Sequence, residues 1–230
     1  MRSLEYIGFD GLICCAGGYI EVNGQKIYES SLSDEKLKLA RDVFDRNHVL
    51  YNMEATHMTF QSKEMSEMFV SQRLDDNMNS ELQRMISEEK DMFNIHSFEE
   101  YDENPLPIQK MSFICQDISQ LDEPKKVLSQ DFNFVVHDIF SRDTINGEII
   151  IKGTDKGKAI HQVVEYLGLS IEDTIGFGDS MNDLQMIQTC HRGVVMGNGS
   201  DELKQYATTV CESVRDDGIY HELERLGLIR

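Results

Sequence analysis

Thr174-Ile175-Gly176-Phe177-Gly178-Asp179-Ser180-Met181-Asn182-Asp183 is the stretch on which the fold turns. Thr174 to Phe177 is a short apolar run of strand length, and Asn182 to Thr189 has helical spacing. Between them Gly178 allows a tight turn, and its missing side chain keeps the end of the strand open. Working outward, the same grammar repeats. Lys156 to Leu167 reads as a helix, Gly193 to Met196 as a strand, Asp201 to Tyr206 as a helix and Thr208 to Cys211 as a strand. Strands alternating with helices imply a parallel sheet covered on both faces. Ligands of such sheets bind at the carboxyl ends of the strands, and that is where Gly178 to Asp183 falls.

The chemistry of that stretch is oxygen chemistry. Asp179, Asn182 and Asp183 offer hard ligands at one strand end. Mg²⁺ takes such ligands at about 2.0–2.1 Å and keeps waters and a substrate phosphate in its remaining positions. The plainer reading is an ordinary helix start, with Asp179 or Ser180 as N-cap and Asn182 and Asp183 complementing the helix dipole. Lys156 weighs against it. The run Ile151-Lys152-Gly153-Thr154-Asp155-Lys156-Gly157 is a strand, a loop and a helix start, so Lys156 points toward the same sheet edge, where a helix N-terminus also favours phosphate. Lys152 and Lys158 read as solvated surface residues. Val194-Val195-Met196-Gly197-Asn198-Gly199 is a buried strand ending in a Gly-Asn-Gly loop at that edge; alone it is an ordinary strand-to-helix turn.

Toward the N-terminus the pattern differs. Leu12 to Cys15 is apolar, Tyr19 to Val22 alternates, Asn23-Gly24 is a hairpin turn and Gln25 to Glu29 returns. Ser33, Asp34 and Glu35 start a helix with the apolar stripe Leu37, Ala40, Val43 and Phe44. The region that follows mixes elements: strands at Val49 to Met53 and His57 to Gln61, helices at Ser62 to Leu74 and Asn79 to Phe93, a loop at Asp102 to Pro107. A strand at Lys110 to Gln116, a helix at Ser119 to Ser129 and strands at Phe132 to Asp138 and Gly147 to Lys152 complete it.

Composition bounds the function. The 230 residues are 40% hydrophobic, enough for a proper core, and carry 41 acidic against 22 basic residues, a net charge of −19. A nucleic-acid partner or an anionic membrane surface is thereby disfavoured, since phosphate backbones are held by clustered Lys and Arg. No apolar run approaches the ~20 residues of a membrane span. Glu5 and Asp10 interrupt any signal-peptide core. Cys14, Cys15, Cys115, Cys190 and Cys211 form no CxxC pair, which fits free thiols in a reducing cytoplasm. His48, His57, His96, His137, His161, His191 and His221 have no zinc-binding spacing.

Lys156, then Gly178-Asp179-x-x-Asn182-Asp183, then Met196-Gly197-Asn198 follow one another in an order that resembles the haloacid dehalogenase-like phosphohydrolases, in particular the Cof-type subclass IIB with a large α/β cap. The resemblance covers essentially the whole chain. It implies an α/β fold, a Rossmann-like parallel core formed by residues 1–32 and 147–230, and an inserted cap at 33–146. Asp216-Asp217-Gly218-Ile219 resembles the start of the family's closing helix. The resemblance further implies that Lys156 steadies the substrate phosphate, that Asp179 ligates Mg²⁺, and that Asn182 touches phosphate or metal-bound water. Asp183 would support the metal site and orient Lys156. The substrate would be a small phosphorylated metabolite such as a sugar phosphate. The phosphorylation domain of ion-pumping ATPases shares Gly-Asp-x-x-Asn-Asp, but no membrane span accompanies it here.

The family also requires an Asp-x-Asp-Gly-Thr motif whose first Asp attacks phosphorus and whose second is general acid and base. The 230 residues contain none. The nearest stretch, Gly8-Phe9-Asp10-Gly11-Leu12, has Gly in the nucleophile position, and Asp10 reads as a turn residue. The comparison implies on the order of 40 further residues, one βαβ unit, ahead of Met1. The open explanations are a truncated product, a natural relative without activity, or a drifted motif at Asp10; the first is favoured. A chain of this kind is expected to be inactive as it stands, and the alternative to a phosphatase is a non-catalytic relative that binds metal, phosphate or a protein partner.

Overall fold

The structure is a computed structural model that describes residues 8–72, 94–141 and 144–229. The helix expected at Asn79 to Phe93 lies outside the described residues. The chain divides into two compact units, Met1–Gly153 and Thr154–Arg230.

In the first unit β1 (Gly11–Cys14), β2 (Tyr19–Val22) and β3 (Gln25–Glu29) make an antiparallel meander. Asn23 turns the β2–β3 hairpin at φ 52°. A 3₁₀ turn at Cys15–Gly17 joins β1 to β2. Then come α1 (Asp34–Arg46), β4 (Leu50–Glu54), β5 (Thr59–Gln61), α2 (Lys63–Gln72), β6 (Ile95–Ser97) and α3 (Phe98–Glu103). They are followed by β7 (Lys110–Cys115), α4 (Asp122–Leu128), β8 (Phe132–Ser141) and β9 (Thr144–Ile151). These strands form a six-stranded sheet in the order β6-β5-β4-β7-β9-β8.

Local chemistry explains the elements. Ser33 caps α1 by accepting the Lys36 N–H at 3.4 Å, with Asp34 and Glu35 in the first turn. That arrangement satisfies an orphan donor and complements the helix dipole. The buried stripe is Leu37, Ala40, Val43 and Phe44. It belongs to a core that also takes in Met53, Met111, Phe113, Leu128 and Ile149. Strand alternation puts Met111 and Phe113 into that core and turns Lys110 and Ser112 to the other face. Phe113 needs Gly147 opposite it, because a Cβ there would meet the ring at 2.5 Å.

One element boundary differs from the sequence reading. The loop expected from Asp102 begins at Asn104 instead, because a capping box between Ser97 and Glu100 nucleates α3 through Glu103. Residues 146–147, between which the sequence reading divides core from cap, belong to β9, which pairs with β7 from Ile145 to Ile150. Its β-branched run fits a strand of either sheet, so composition did not settle which one. Strands β4 and β5 lie in the six-stranded sheet, and Ile175–Gly178 in another.

The second unit holds α5 (Lys156–Leu167), β10 (Ile175–Gly178), α6 (Leu184–Thr189), β11 (Arg192–Val195), α7 (Asp201–Lys204), β12 (Thr209–Val210) and α8 (Gly218–Arg225). Strands β10, β11 and β12 are parallel neighbours in that order. Successive residues of β11 serve opposite faces. Val195 packs with Ile187 and Leu203, while Val194 packs with Met196, Cys211, Ile175 and Phe177. That two-sided burial is why its sequence reads as a continuous apolar run. The mixed α/β class expected from the sequence is observed.

Candidate active site at the carboxyl end of the parallel sheet

Strand β10 ends at Gly178, and the chain turns through a 3₁₀ segment, Met181–Asp183, into α6. The turn folds the Asp183 side chain back under the strand end. A Cβ at Gly178 would lie 2.7 Å from the Asp183 Cβ, so glycine is what makes room for it. Asp183 is buried, at 8% exposure. Both its carboxylate oxygens are engaged. Oδ1 accepts from the Lys156 Nζ at 2.5 Å, and Oδ2 accepts the Asp179 backbone N–H at 3.1 Å.

Lys156 is the first residue of α5, whose N-cap Asp155 accepts the Lys158 N–H at 2.8 Å. The cap fixes the start of the helix, and so fixes where the lysine side chain departs. Asp179, the next residue after β10, is exposed. Its carbonyl accepts the Ser200 N–H at 2.8 Å, and the Gly178 carbonyl accepts the Met196 N–H at 2.9 Å. The Gly197–Gly199 loop is thus tied to the mouth of β10. Asn198 reaches the other way, its Oδ1 accepting the Val214 N–H at 2.8 Å. Asn182 is exposed, and its Oδ1 accepts from the Ser180 hydroxyl at 2.8 Å. With Oδ1 engaged by Ser180, the NH₂ group of Asn182 is left to donate.

Of the residues predicted from sequence, Lys156, Asp179 and Asp183 come together in one hydrogen-bonded set. Asn182 joins through the same turn, by way of Ser180. Sequence reasoning missed Ser180 as the residue that orients Asn182. It also missed Ser200, which serves as N-cap of α7 while its N–H holds the Asp179 carbonyl. The only signal for the latter was the Ser-Asp-Glu helix start. Asp10 is an exposed bend residue whose carbonyl accepts the Asn23 N–H.

The donor set suits a hard cation bound in part by other groups. Asp179 has an exposed side chain, and its backbone N–H shares the Asp183 carboxylate with the Lys156 ammonium; Mg²⁺ commonly takes one or two protein carboxylates with water and phosphate completing its shell. Asp183, with both oxygens engaged, holds the set in place from beneath. Among the described residues no group of three or more His, Cys, Asp or Glu could hold a metal unaided. Nor is any helix among them long and apolar enough to cross a membrane.

Comparison with known proteins bears on this arrangement. The chain is 35% identical to YkrA of Bacillus subtilis over 123 residues, which make up 54% of this chain and 45% of that protein. It is 37% identical to an HMP-PP phosphatase of Yersinia pseudotuberculosis over 107 residues, 46% of this chain and 38% of that one. The chain thus spans less than half the length of these relatives. A solved structure described as a subclass IIB sugar phosphatase shares the fold, with a TM-score of 0.71 and 22% identity over 99% of this chain and 80% of that one. The family described as haloacid dehalogenase-like hydrolase matches residues 2–223, and the chain belongs to that family.

Proposed function

We propose that this chain is of the Cof-type lineage and supplies the phosphate- and magnesium-handling residues of a phosphatase for small phosphate monoesters such as sugar phosphates. The observation that carries the reading is the buried Asp183 carboxylate, shared between the Lys156 ammonium and the Asp179 backbone at the open end of β10. The names of the relatives and of the subclass IIB sugar phosphatase agree with it.

In this reading Lys156 neutralises charge on the phosphate oxygens, and Asp183 holds its ammonium in place. The NH₂ of Asn182 donates to the phosphate. Asp179 would ligate Mg²⁺, with Asp183 supporting it from beneath. The ion, when bound, would neutralise charge on the transferring phosphoryl group. Positioning and charge neutralisation are most of what phosphoryl transfer asks of a protein. Residues 33 to about 146 act as the cap that selects the leaving group, and the protein works in the cytoplasm.

None of these residues is an attacking carboxylate, and the 230 residues contain no Asp-x-Asp-Gly-Thr motif. The chain alone is therefore proposed to be inactive. The test is hydrolysis of p-nitrophenyl phosphate and hexose phosphates with magnesium. No turnover above background is expected from the chain as it stands. Activity should appear when an upstream extension carrying Asp-x-Asp-Gly-Thr is supplied and vanish again in Lys156→Ala or Asp179→Ala. Robust turnover by the 230 residues alone, lost in Asp10→Asn, would contradict the inactivity and place the nucleophile at Asp10. Failure of the extended chain to turn over would favour the non-catalytic, binding alternative.

A further inference from the structure

The parallel sheet of the second unit ends in two edge strands, and the two are not alike. β12 has only two residues, Thr209–Val210, and a very short edge strand is one of the ways proteins keep other chains from pairing there. β10 has four, Ile175–Gly178, in unbroken register with β11 and with no Lys, Pro or bulge to blunt it. The Thr174 carbonyl accepts the Arg192 N–H at 3.2 Å, and the Gly178 carbonyl accepts the Met196 N–H at 2.9 Å. The backbone groups of Thr174, Gly176 and Gly178 therefore face β11. Alternation turns the N–H and C=O of Ile175 and Phe177 to the opposite edge, where no strand pairs with β10 among the described residues. The side chains of Ile175 and Phe177 are only half-buried, against Val194, Met196 and Cys211. A strand laid along the edge would satisfy the backbone groups and cover the remaining apolar surface.

Charge decides what kind of strand fits. Glu172 and Asp173 stand just before β10 and Asp179 just after it, all three exposed. In an antiparallel pair of two copies, Ile175 across from the other copy's Phe177 would set Asp179 across from Asp173. Like charges directly opposite are destabilising, and each copy carries a net charge of −19. A second copy is therefore disfavoured at this edge. A strand with an apolar centre and basic residues at both ends meets the same acidic flanks favourably in either direction.

We propose that the outer edge of β10 is a docking site for an extended polypeptide strand of a protein partner, apolar at its centre and carrying Lys or Arg on either side. Main-chain hydrogen bonds to Ile175 and Phe177 supply the affinity, as in other strand additions, and the acidic flanks supply the selectivity. The inference does not rest on the phosphate chemistry proposed above, and it holds for an active or an inactive chain.

Amide hydrogen exchange of the 230-residue chain, read residue by residue with and without the capped peptide Lys-Lys-Val-Ile-Val-Ile-Lys-Lys, tests it. In the free chain the Ile175 and Phe177 amides should exchange at least about tenfold faster than those of Gly176 and Gly178, and the peptide should slow those two by at least about tenfold. The same peptide with Glu in place of each Lys should bind at least about tenfold more weakly. A version N-methylated at every Val and Ile keeps the charge but cannot pair as a strand, and should not bind measurably. Phe177→Pro removes one donor from the outer edge while sparing the bonds to β11, and should weaken binding by about tenfold. Circular dichroism checks that it folds; should it fail to fold, the N-methylated peptide decides the matter. Ile175 and Phe177 amides as protected in the free chain as their neighbours, no binding of the Lys-flanked peptide, or equal binding of the Glu-flanked or N-methylated peptide would overturn the proposal. So would a dimer in sedimentation that Phe177→Pro splits, since the occupant would then be a second copy.

Discussion

The Lys156 ammonium and the Asp183 carboxylate meet at 2.5 Å although 27 residues separate them in the chain. One begins α5 and the other closes the turn after β10, so the pair joins the two elements that flank the strand end. The same carboxylate holds the Asp179 N–H. Removing it strips both partners at once. Asp183→Ala is predicted to destabilise the chain by about 1–3 kcal/mol, the worth of hydrogen bonds to a charged group. Urea unfolding measures it, and a midpoint equal to that of wild type would show that the pair holds nothing.

Gly178→Ala attacks the same relationship from the strand. The added methyl would stand 2.7 Å from the Asp183 Cβ. The turn must shift to admit it, with an expected loss of about 1–3 kcal/mol. Phosphate protection of Lys156 against acetylation, read by mass spectrometry, should fall in the variant. Full retention of both stability and protection would mean the turn is looser than described.

These two residues also show what was legible in the sequence. Gly178, Asp179, Asn182 and Asp183 lie within six consecutive residues, so their joint position at a strand end follows from one βα joint. Lys156 could be placed at that edge because it starts a helix of the same unit. Side-chain assignment was less accessible. That Ser180 fixes the Asn182 amide, and that Asp183 uses both oxygens, depends on a single 3₁₀ turn whose dihedrals no periodicity encodes. The extent of β9 was hidden for another reason. Gly147 looks like a boundary in sequence, whereas in the fold it is the gap that the Phe113 ring fills.

Cys15 provides a pH prediction. Burial, reinforced by the nearby Glu54 carboxylate, pushes its thiol up from 9.0 to about 12. At pH 8 the reactive thiolate is then a fraction of only about 10⁻⁴. Alkylation by iodoacetamide at that pH should leave Cys15 unmodified in the native chain and label it after unfolding. The sign for stability follows from the raised value. The contribution is fully present below pH 9, and it declines as pH rises from 9 toward 12. Labelling of native Cys15 at the rate of a free thiol would contradict the burial.

Lys110 lies between Glu54 and Glu148 in the first unit. Lys110→Met fills similar space but leaves two carboxylates without their cation. Breaking a buried ion group in this way costs about 3–5 kcal/mol. The loss should be readable as a lower thermal midpoint at pH 7 that partly recovers at acidic pH, where the carboxylates protonate. A midpoint equal to wild type would show the group to be solvated.

The claim that the end of β10 is the magnesium and phosphate site is tested most directly by calorimetric titration of magnesium chloride into the 230-residue chain and into Asp179→Asn. The exposed Asp179 carboxylate is proposed as the direct ligand, so wild type should bind the ion weakly and the variant should not bind it measurably. Equal binding by the two would contradict the assignment.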